Sequence, residues 1–447
     1  MKHPRTDDDV FFFISSGVNY NILKKETYFK KDKNNYTIIN SRVLAPSHYS
    51  FLSESQIQDA ETEDVFLKIL NEIGHIDIIH FNNLEGIPVK LLTRIKKERS
   101  DIKIVYSFHN YYPFCPQVNL WERESNNCKD YNDGKKCINC TNHSAGEDIF
   151  KKTYFANSIL MSFGVNEGGF RHKKIMSLAH RINNVIWGIK RTTRKKNENN
   201  IVNMSFKSNY FSNRRSVFID EINKNCDSVL TVSKRVMDIC EKFGIDKNLM
   251  QVSYIGTAHE KYFELSSPKE NDIRTICFMG YMRKDKGFEF FLDSIESMDN
   301  NYARKINIVI AAKNTNEYLH YRIKELTKKF NKVIYSDGYN HTNIDQILKD
   351  VDLGIIPVLW EDNLPQVAIE MHCRKIPLLT SNLGGASELH GKNDAFTFNS
   401  GNQKDFLTKI YALVDQGYDR ETYWNKALEP QSVEEHILNL LDIYKAM

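Results

Sequence analysis

The chain has no long hydrophobic run. In 447 residues no stretch approaches the roughly 18 apolar residues that span a bilayer. No secretory leader is expected either, because M-K-H-P-R-T-D-D-D leads only into the short run V-F-F-F-I. The expectation is a cytoplasmic protein, in which eight cysteines are reduced, metal-bound or buried rather than cross-linked. Net charge is small, at +4, and no nucleic acid is expected as a partner. Nor is the chain poor in apolar residues. At 41% apolar, 12% aromatic and 26% charged it cannot be largely disordered. Its length is too great for one ordinary core, so two domains are expected.

The small net charge hides an uneven distribution. Between Lys151 and Arg215 stand fourteen Lys and Arg, opposed only by Glu167 and Glu198. Such a block suits an anionic surface: lipid headgroups, a lipid-linked phosphate or nucleic acid; the plain alternative is a solvated basic loop. Within it, Ile175, Leu178, Ala179, Ile182 and Ile186 recur at helical spacing. That pattern fits an ordinary core helix or an interfacial one.

What is present is alternation. Strand-like runs at 10–14, 36–40, 76–81, 102–108, 228–232 and 252–255 are separated by helical patterns, as in a doubly wound sheet. The first βα unit is degenerate. After Ser15-Ser16-Gly17 the chain runs into the polar K-K-E-T-Y-F-K-K-D-K-N-N instead of a helix. His109 falls just past a strand's carboxyl end, where ligands of open α/β sheets sit. A second alternating series begins at Thr275. It passes through G-Y-M-R-K-D-K-G, which places Tyr281, Arg283, Lys286 and Gly287 before a helix striped by Phe288, Phe291, Leu292 and Ile295. A cation and free amides at that point suit a diphosphate.

The richest stretch is W-E-D-N-L-P-Q-V-A-I-E-M-H-C-R-K-I-P-L-L-T-S-N-L-G-G-A-S-E, from Trp360 to Glu388. Leu364, Val367, Ala368 and Met371 form a core stripe, with Pro365 at the helix start. Glu370 lies off the stripe, and Asp362 precedes the helix. Amides for a phosphate and carboxylates for hydroxyls suit a nucleotide sugar; a capping Asp and a solvated Glu are the plain reading. At the C-terminus, Ser432 with Glu435 reads as a capping box.

Cys115, Cys128, Cys137 and Cys140 crowd a polar, loop-like stretch with few apolar residues to fold it. They could close a structural zinc site or remain reduced thiols.

The stretch 360–388 resembles the C-terminal signature of the retaining family-4 glycosyltransferases. Asp362, Glu370, Pro377, Gly384, Gly385 and Glu388 fall on that pattern, with Asp362 where the family usually has Glu and Glu361 one place off. S-F-H-N-Y-Y-P-F-C-P around His109 resembles the family's donor-contacting segment, and Lys286 matches its lysine, although Tyr281 stands where it has Arg. Similar cysteine-bearing insertions occur in some members.

The resemblance implies a GT-B fold of two Rossmann-like α/β domains facing a cleft. Residues 1–255 would form an acceptor-side domain carrying a cysteine insertion at about 113–145 and the basic segment 151–215. Residues 256–425 would bind a nucleotide sugar, and 426–447 would cross back as a helix. Glu370 would hold ribose hydroxyls. Asp362 would hold the transferred sugar with the amides of Asn363 and Leu364, and His109 would contact the sugar. Lys286 with Arg283 and Gly287 would face the diphosphate. No metal would be required for catalysis. The implied function is retaining transfer to a hydroxyl of a glycan or lipid-linked acceptor, in polysaccharide synthesis, with peripheral contact to an anionic membrane at its inner face. Two other classes stay open. One is a sugar-nucleotide epimerase, which needs an acid/base set the sequence does not present. The other is an inactive GT-B binding module for an anionic membrane or nucleic acid.

Overall fold

The computed structural model of the protein describes residues 10–47, 50, 52–140, 147–166, 168–175, 177, 200–267 and 274–447. The chain opens with three strands, β1 (Phe13–Ser15), β2 (Tyr28–Asp32) and β3 (Asn35–Ile39), in the order β1-β3-β2. β1 pairs with β3 in parallel, and β2 closes on β3 as an antiparallel hairpin. The polar segment after Gly17 is therefore a hairpin strand in place of the missing helix. Tyr28 and Phe29 are half-buried, and Lys33 turns the chain with φ +54°.

The next sheet is parallel, with order β4-β5-β8-β9. It comprises β4 (Ile78–Phe81), β5 (Lys103–Phe108), β8 (Ser228–Thr231) and β9 (Met250–Val252). Helices α1 (Ala60–Ile73) and α2 (Leu91–Glu98) pack against it. Asp59 starts α1 by accepting the Thr62 amide, while Glu63 returns a bond to the Asp59 amide. Between β5 and β8 lie the short hairpin β6 (Trp121–Glu122) and β7 (Asn126–Asn127), then the helices α3 (Glu147–Ser162) and α4 (Asn200–Asn225). Ser233 caps α5 (Lys234–Lys242).

The third sheet is the larger, six parallel strands in the order β12-β11-β10-β13-β14-β15. Its strands are β10 (Thr275–Tyr281), β11 (Asn307–Lys313), β12 (Lys332–Ser336), β13 (Leu353–Ile356), β14 (Leu378–Ser381) and β15 (Thr397–Phe398). Alternate residues of β10 enter different cores. Ile276 and Phe278 join one with α6 (Phe288–Glu296) and α7 (Glu317–Glu325), whereas Cys277 and Met279 join another with α8 (Gln366–His372). Both faces are thus covered, as a parallel sheet requires. Counted within this sheet, the order is 3-2-1-4-5-6, which reverses between β10 and β13. Open α/β sheets bind ligands at that reversal, beyond the strands' carboxyl ends.

The last helix, α9 (Val433–Lys445), starts on the Ser432–Glu435 capping box. Thr257 bridges to Ser432, and the Tyr444 hydroxyl meets His80 Nδ1 on β4 at 2.5 Å. The chain's end therefore ties to the first parallel sheet. No helix of the described residues is long and apolar enough to cross a membrane.

Two cations of the basic block prove to be internal. Arg214 bonds Gln56 and the carbonyls of Tyr112 and Pro113, and Arg215 bonds the Phe114 carbonyl. Both are buried, so α4 pins the 112–114 loop with them and offers neither to an anionic surface. Leu178, Ala179, Ile182 and Ile186 of the expected amphipathic helix lie outside the described residues, and Ile175 is exposed.

Candidate active site

The loops after β10 and β13 meet at the reversal. Gly287 has φ +73°, and a Cβ there would lie 1.8 Å from the Pro357 carbonyl oxygen. Only glycine permits this left-handed turn against the neighbouring loop. The approach sets Lys286 against the second loop. Its ammonium donates to Asp362 Oδ2 at 2.5 Å and lies 5.2 Å from the centre of the Trp360 ring. Burial pushes the Asp362 carboxyl up, and the lysine opposes that shift. Gly287→Ala is expected to lower the melting temperature, since an αL alanine and the clash together cost on the order of 1–3 kcal/mol. Thermal denaturation checks this, and an unchanged midpoint would mean the loops part freely.

Adjacent Glu361 is engaged elsewhere. It pairs with Arg235 of α5 through two guanidinium nitrogens, and accepts from the Gly384 amide and Asn127 Nδ2. It is a tie between the two halves, and this leaves Asp362 as the carboxylate on Lys286. Gly384, at φ +72°, lies so close that a Cβ would sit 2.2 Å from the Asp362 carbonyl oxygen. Glu388 accepts the amides of Lys234 and Arg235 and the Tyr254 hydroxyl, capping α5 from across the cleft.

His109 comes to the same place. Asn363 Nδ2 donates to its carbonyl, and its Nε2 lies 3.3 Å from Asn82 Oδ1. Burial and His436 lower its pKa, so the ring favours the neutral form. Asn363 holds the first half a second way, since its carbonyl accepts Ser233 Oγ. Leu364 is buried in the core beside α8. Pro365 caps α8, one place before the helical position the sequence suggested. Arg283 is held by Asp285 through two bonds of 3.0 and 2.6 Å, so its charge is largely answered. Tyr281 stands 66% exposed at the rim.

Glu370 is buried on α8, and its Oε2 has no partner. Burial raises its pKa, while Tyr339 and Arg374 act to lower it. Beside it lie His259 and His341. Their ligand atoms and a Glu370 oxygen fall within 4.8 Å of one another, the one such group among the described residues. Sequence reasoning missed His259, which has no motif around it. Arg374 was detectable as the i+4 neighbour of Glu370.

The four insertion cysteines are free thiols. Burial pushes Cys128 up to about 11 and Cys137 and Cys140 up to about 12, with Cys115 adding to each. They share one neighbourhood, but among the described residues they form no closed ligand group. Cys140 Sγ lies 3.1 Å from Gln117 Oε1, and Cys128 Sγ 3.8 Å from the Asp130 carbonyl.

Residues 273–416, which contain Lys286, Asp362 and Glu370, match the family Glycosyl transferases group 1. That segment is similar to a glycosyltransferase group 1 domain. No curated protein sequence matches the chain. Among solved structures it is similar to HepE of Anabaena in complex with UDP, at a TM-score of 0.51 and 12% identity over 86% of this chain and 82% of that one. It is also similar to sucrose-phosphate synthase of Thermosynechococcus elongatus, at 0.52 and 11% over 97% and 88%. Trehalose-6-phosphate synthase OtsA matches at 0.50 and 11% over 98% and 91%. At these identities the likeness is one of fold, that of the GT-B glycosyltransferases.

Proposed function

We propose that this glycosyltransferase moves a sugar from a nucleotide-sugar donor to a hydroxyl acceptor with retention at the anomeric carbon. The observation that carries the reading is Lys286 paired with buried Asp362 at the strand-order reversal of the matched domain. Donor binding would exchange that pair. Lys286 would turn to the diphosphate and Asp362 to hydroxyls of the sugar, with His109 opposite. Glu370 would take the ribose.

The chemistry is cleavage of the bond between anomeric carbon and phosphate oxygen. Negative charge grows on the departing diphosphate as the sugar becomes oxocarbenium-like. A cation fixed where that charge develops lowers the barrier, because it needs no reorganisation during reaction. The acceptor hydroxyl attacks from the leaving-group face and gives its proton to a diphosphate oxygen. Both bond changes then occur on one face, and configuration is kept.

A thermal-shift panel of UDP-, GDP- and ADP-sugars with the free nucleotides tests the donor site. One nucleotide class is expected to stabilise the wild type and not Glu370→Ala. Equal stabilisation of both proteins would remove Glu370 from the site.

The acceptor fits a lipid-linked glycan of polysaccharide synthesis. Support comes from α3, the turn after it and the helical residues 170–175, where Met161, Phe163 and Phe170 are exposed beside Arg171, Lys173 and Lys174. Apolar side chains flanked by cations match an anionic bilayer surface at the inner face of the membrane. Co-sedimentation with phosphatidylglycerol vesicles is expected, and Phe163→Ser/Phe170→Ser should reduce it several-fold. Equal binding to neutral phosphatidylcholine vesicles would count against the charge term.

A structural zinc on Cys115, Cys128, Cys137 and Cys140 would require the sulfurs to leave Gln117 and Asp130 and draw together. Metal analysis of the purified protein checks it: one zinc per chain, lost in Cys137→Ser, supports the site, and a metal-free folded protein removes it.

A further inference from the structure

We infer that His259 is a specificity-determining residue that, with Glu370, reads the vicinal diol of the donor's ribose. The inference rests on the nucleotide-sugar reading of the cleft and adds a residue to it.

Two buried polar atoms of this site have no partner, His259 Nε2 and Glu370 Oε2. His259 Nε2 lies 3.8 Å from the other carboxylate oxygen of Glu370, too far for a hydrogen bond. Buried polar groups left unpaired are costly, so this pair awaits something between or beside them.

The tautomer of His259 says what that is. Arg374 Nη1 and Nη2 each lie 3.3 Å from His259 Nδ1. A guanidinium only donates, so Nδ1 must accept. Arg374 is itself fixed, bonding Asp345 through Nε and the Glu370 carbonyl through Nη1, with its guanidinium 4.5 Å from the centre of the Tyr262 ring. Burial and this arginine lower the pKa of His259, and the neutral ring carries its proton on Nε2. The site thus offers an N–H donor beside a carboxylate acceptor. A vicinal diol answers both: one hydroxyl gives its proton to Glu370 while the other accepts from His259.

The same three side chains, His259, His341 and Glu370, are spaced to hold a divalent metal. Arg374 opposes that use. A metal on Nε2 while Nδ1 accepts from arginine would leave the ring with no proton. A ligating histidine ordinarily donates its other N–H.

The test compares UDP, GDP and ADP with their 2′-deoxy and 3′-deoxy forms by titration calorimetry. The wild type is expected to prefer the ribonucleotide of the class it binds by about tenfold or more over at least one deoxy form. His259→Ala should weaken the ribonucleotide about tenfold and leave that deoxy form nearly unchanged, so the preference collapses. His259→Asn, which keeps an N–H donor, should restore part of it. An unchanged preference in His259→Ala overturns the inference while leaving the donor site standing. No nucleotide binding by the wild type overturns both. Binding abolished by a chelator and restored by zinc overturns it in favour of a metal site. Long-range ¹⁵N spectra of the wild-type ring add a readout that needs no variant. The Nε2-protonated tautomer is expected, and a proton on Nδ1 contradicts the assignment.

Discussion

Lys286→Ala is expected to lower kcat by roughly 10²–10³-fold, the scale of losing one fixed group that stabilises developing charge. The neighbouring Arg283 cannot replace it, because Asp285 holds that guanidinium with two bonds. The change also leaves Asp362 buried without its cation. Burial already pushes this carboxyl up, so the variant's Asp362 takes a proton more readily and some stability is lost. A double variant, Lys286→Ala with Asp362→Ala, should recover the melting temperature and none of the turnover. Rates with the donor found in the nucleotide panel, beside thermal denaturation of both variants, separate the two effects. Near wild-type turnover in Lys286→Ala would remove the lysine from the chemistry.

Arg235→Ala is expected to give the largest loss of stability. Glu361 is buried, and the arginine is its only cationic partner among the described residues. Breaking such a pair from one side costs about 3–5 kcal/mol, because the remaining carboxylate stays buried. Partial exposure of the arginine puts the expectation at the lower end of that range. The Gly384 and Asn127 bonds remain, but they answer a full charge only in part. Urea denaturation measures the loss. Arg235→Ala/Glu361→Gln should be more stable than Arg235→Ala alone, since the stranded charge is gone. A midpoint unchanged in Arg235→Ala would mean that the two halves are held chiefly by Glu388 on α5 and by Asn363 on His109.

The parts of this molecule legible in sequence are those governed by local rules. Of the expected stripe, Leu364, Ala368 and Met371 are buried in or beside α8 and Val367 is half-buried, and the spacing of Ser432 and Glu435 gave the capping box. Strand and helix alternation gave both parallel sheets. The hairpin at β2 and β3 was hidden because K-K-E-T-Y-F-K-K-D reads as solvated loop until Tyr28 and Phe29 are seen to be half-buried. Arg214 and Arg215 were read with the basic block, since charge counting cannot tell an exposed cation from one that bonds buried carbonyls. Glu361 and Asp362 could not be assigned by spacing alone. Their partners, Arg235 and Lys286, are 126 and 76 residues away, and only the closed cleft sorts them. His259 was silent for the same reason: its meaning comes from Arg374 and Glu370, more than 100 residues further on.

The most direct test of the central claim is hydrogen exchange across the whole chain with and without the nucleotide selected by the panel. If the donor lies at the strand-order reversal, protection should concentrate at 283–288 and 360–371, and Glu370→Ala should show none. Protection confined to other segments, with those two loops unchanged while the nucleotide is bound, would contradict a donor held by Lys286, Asp362 and Glu370.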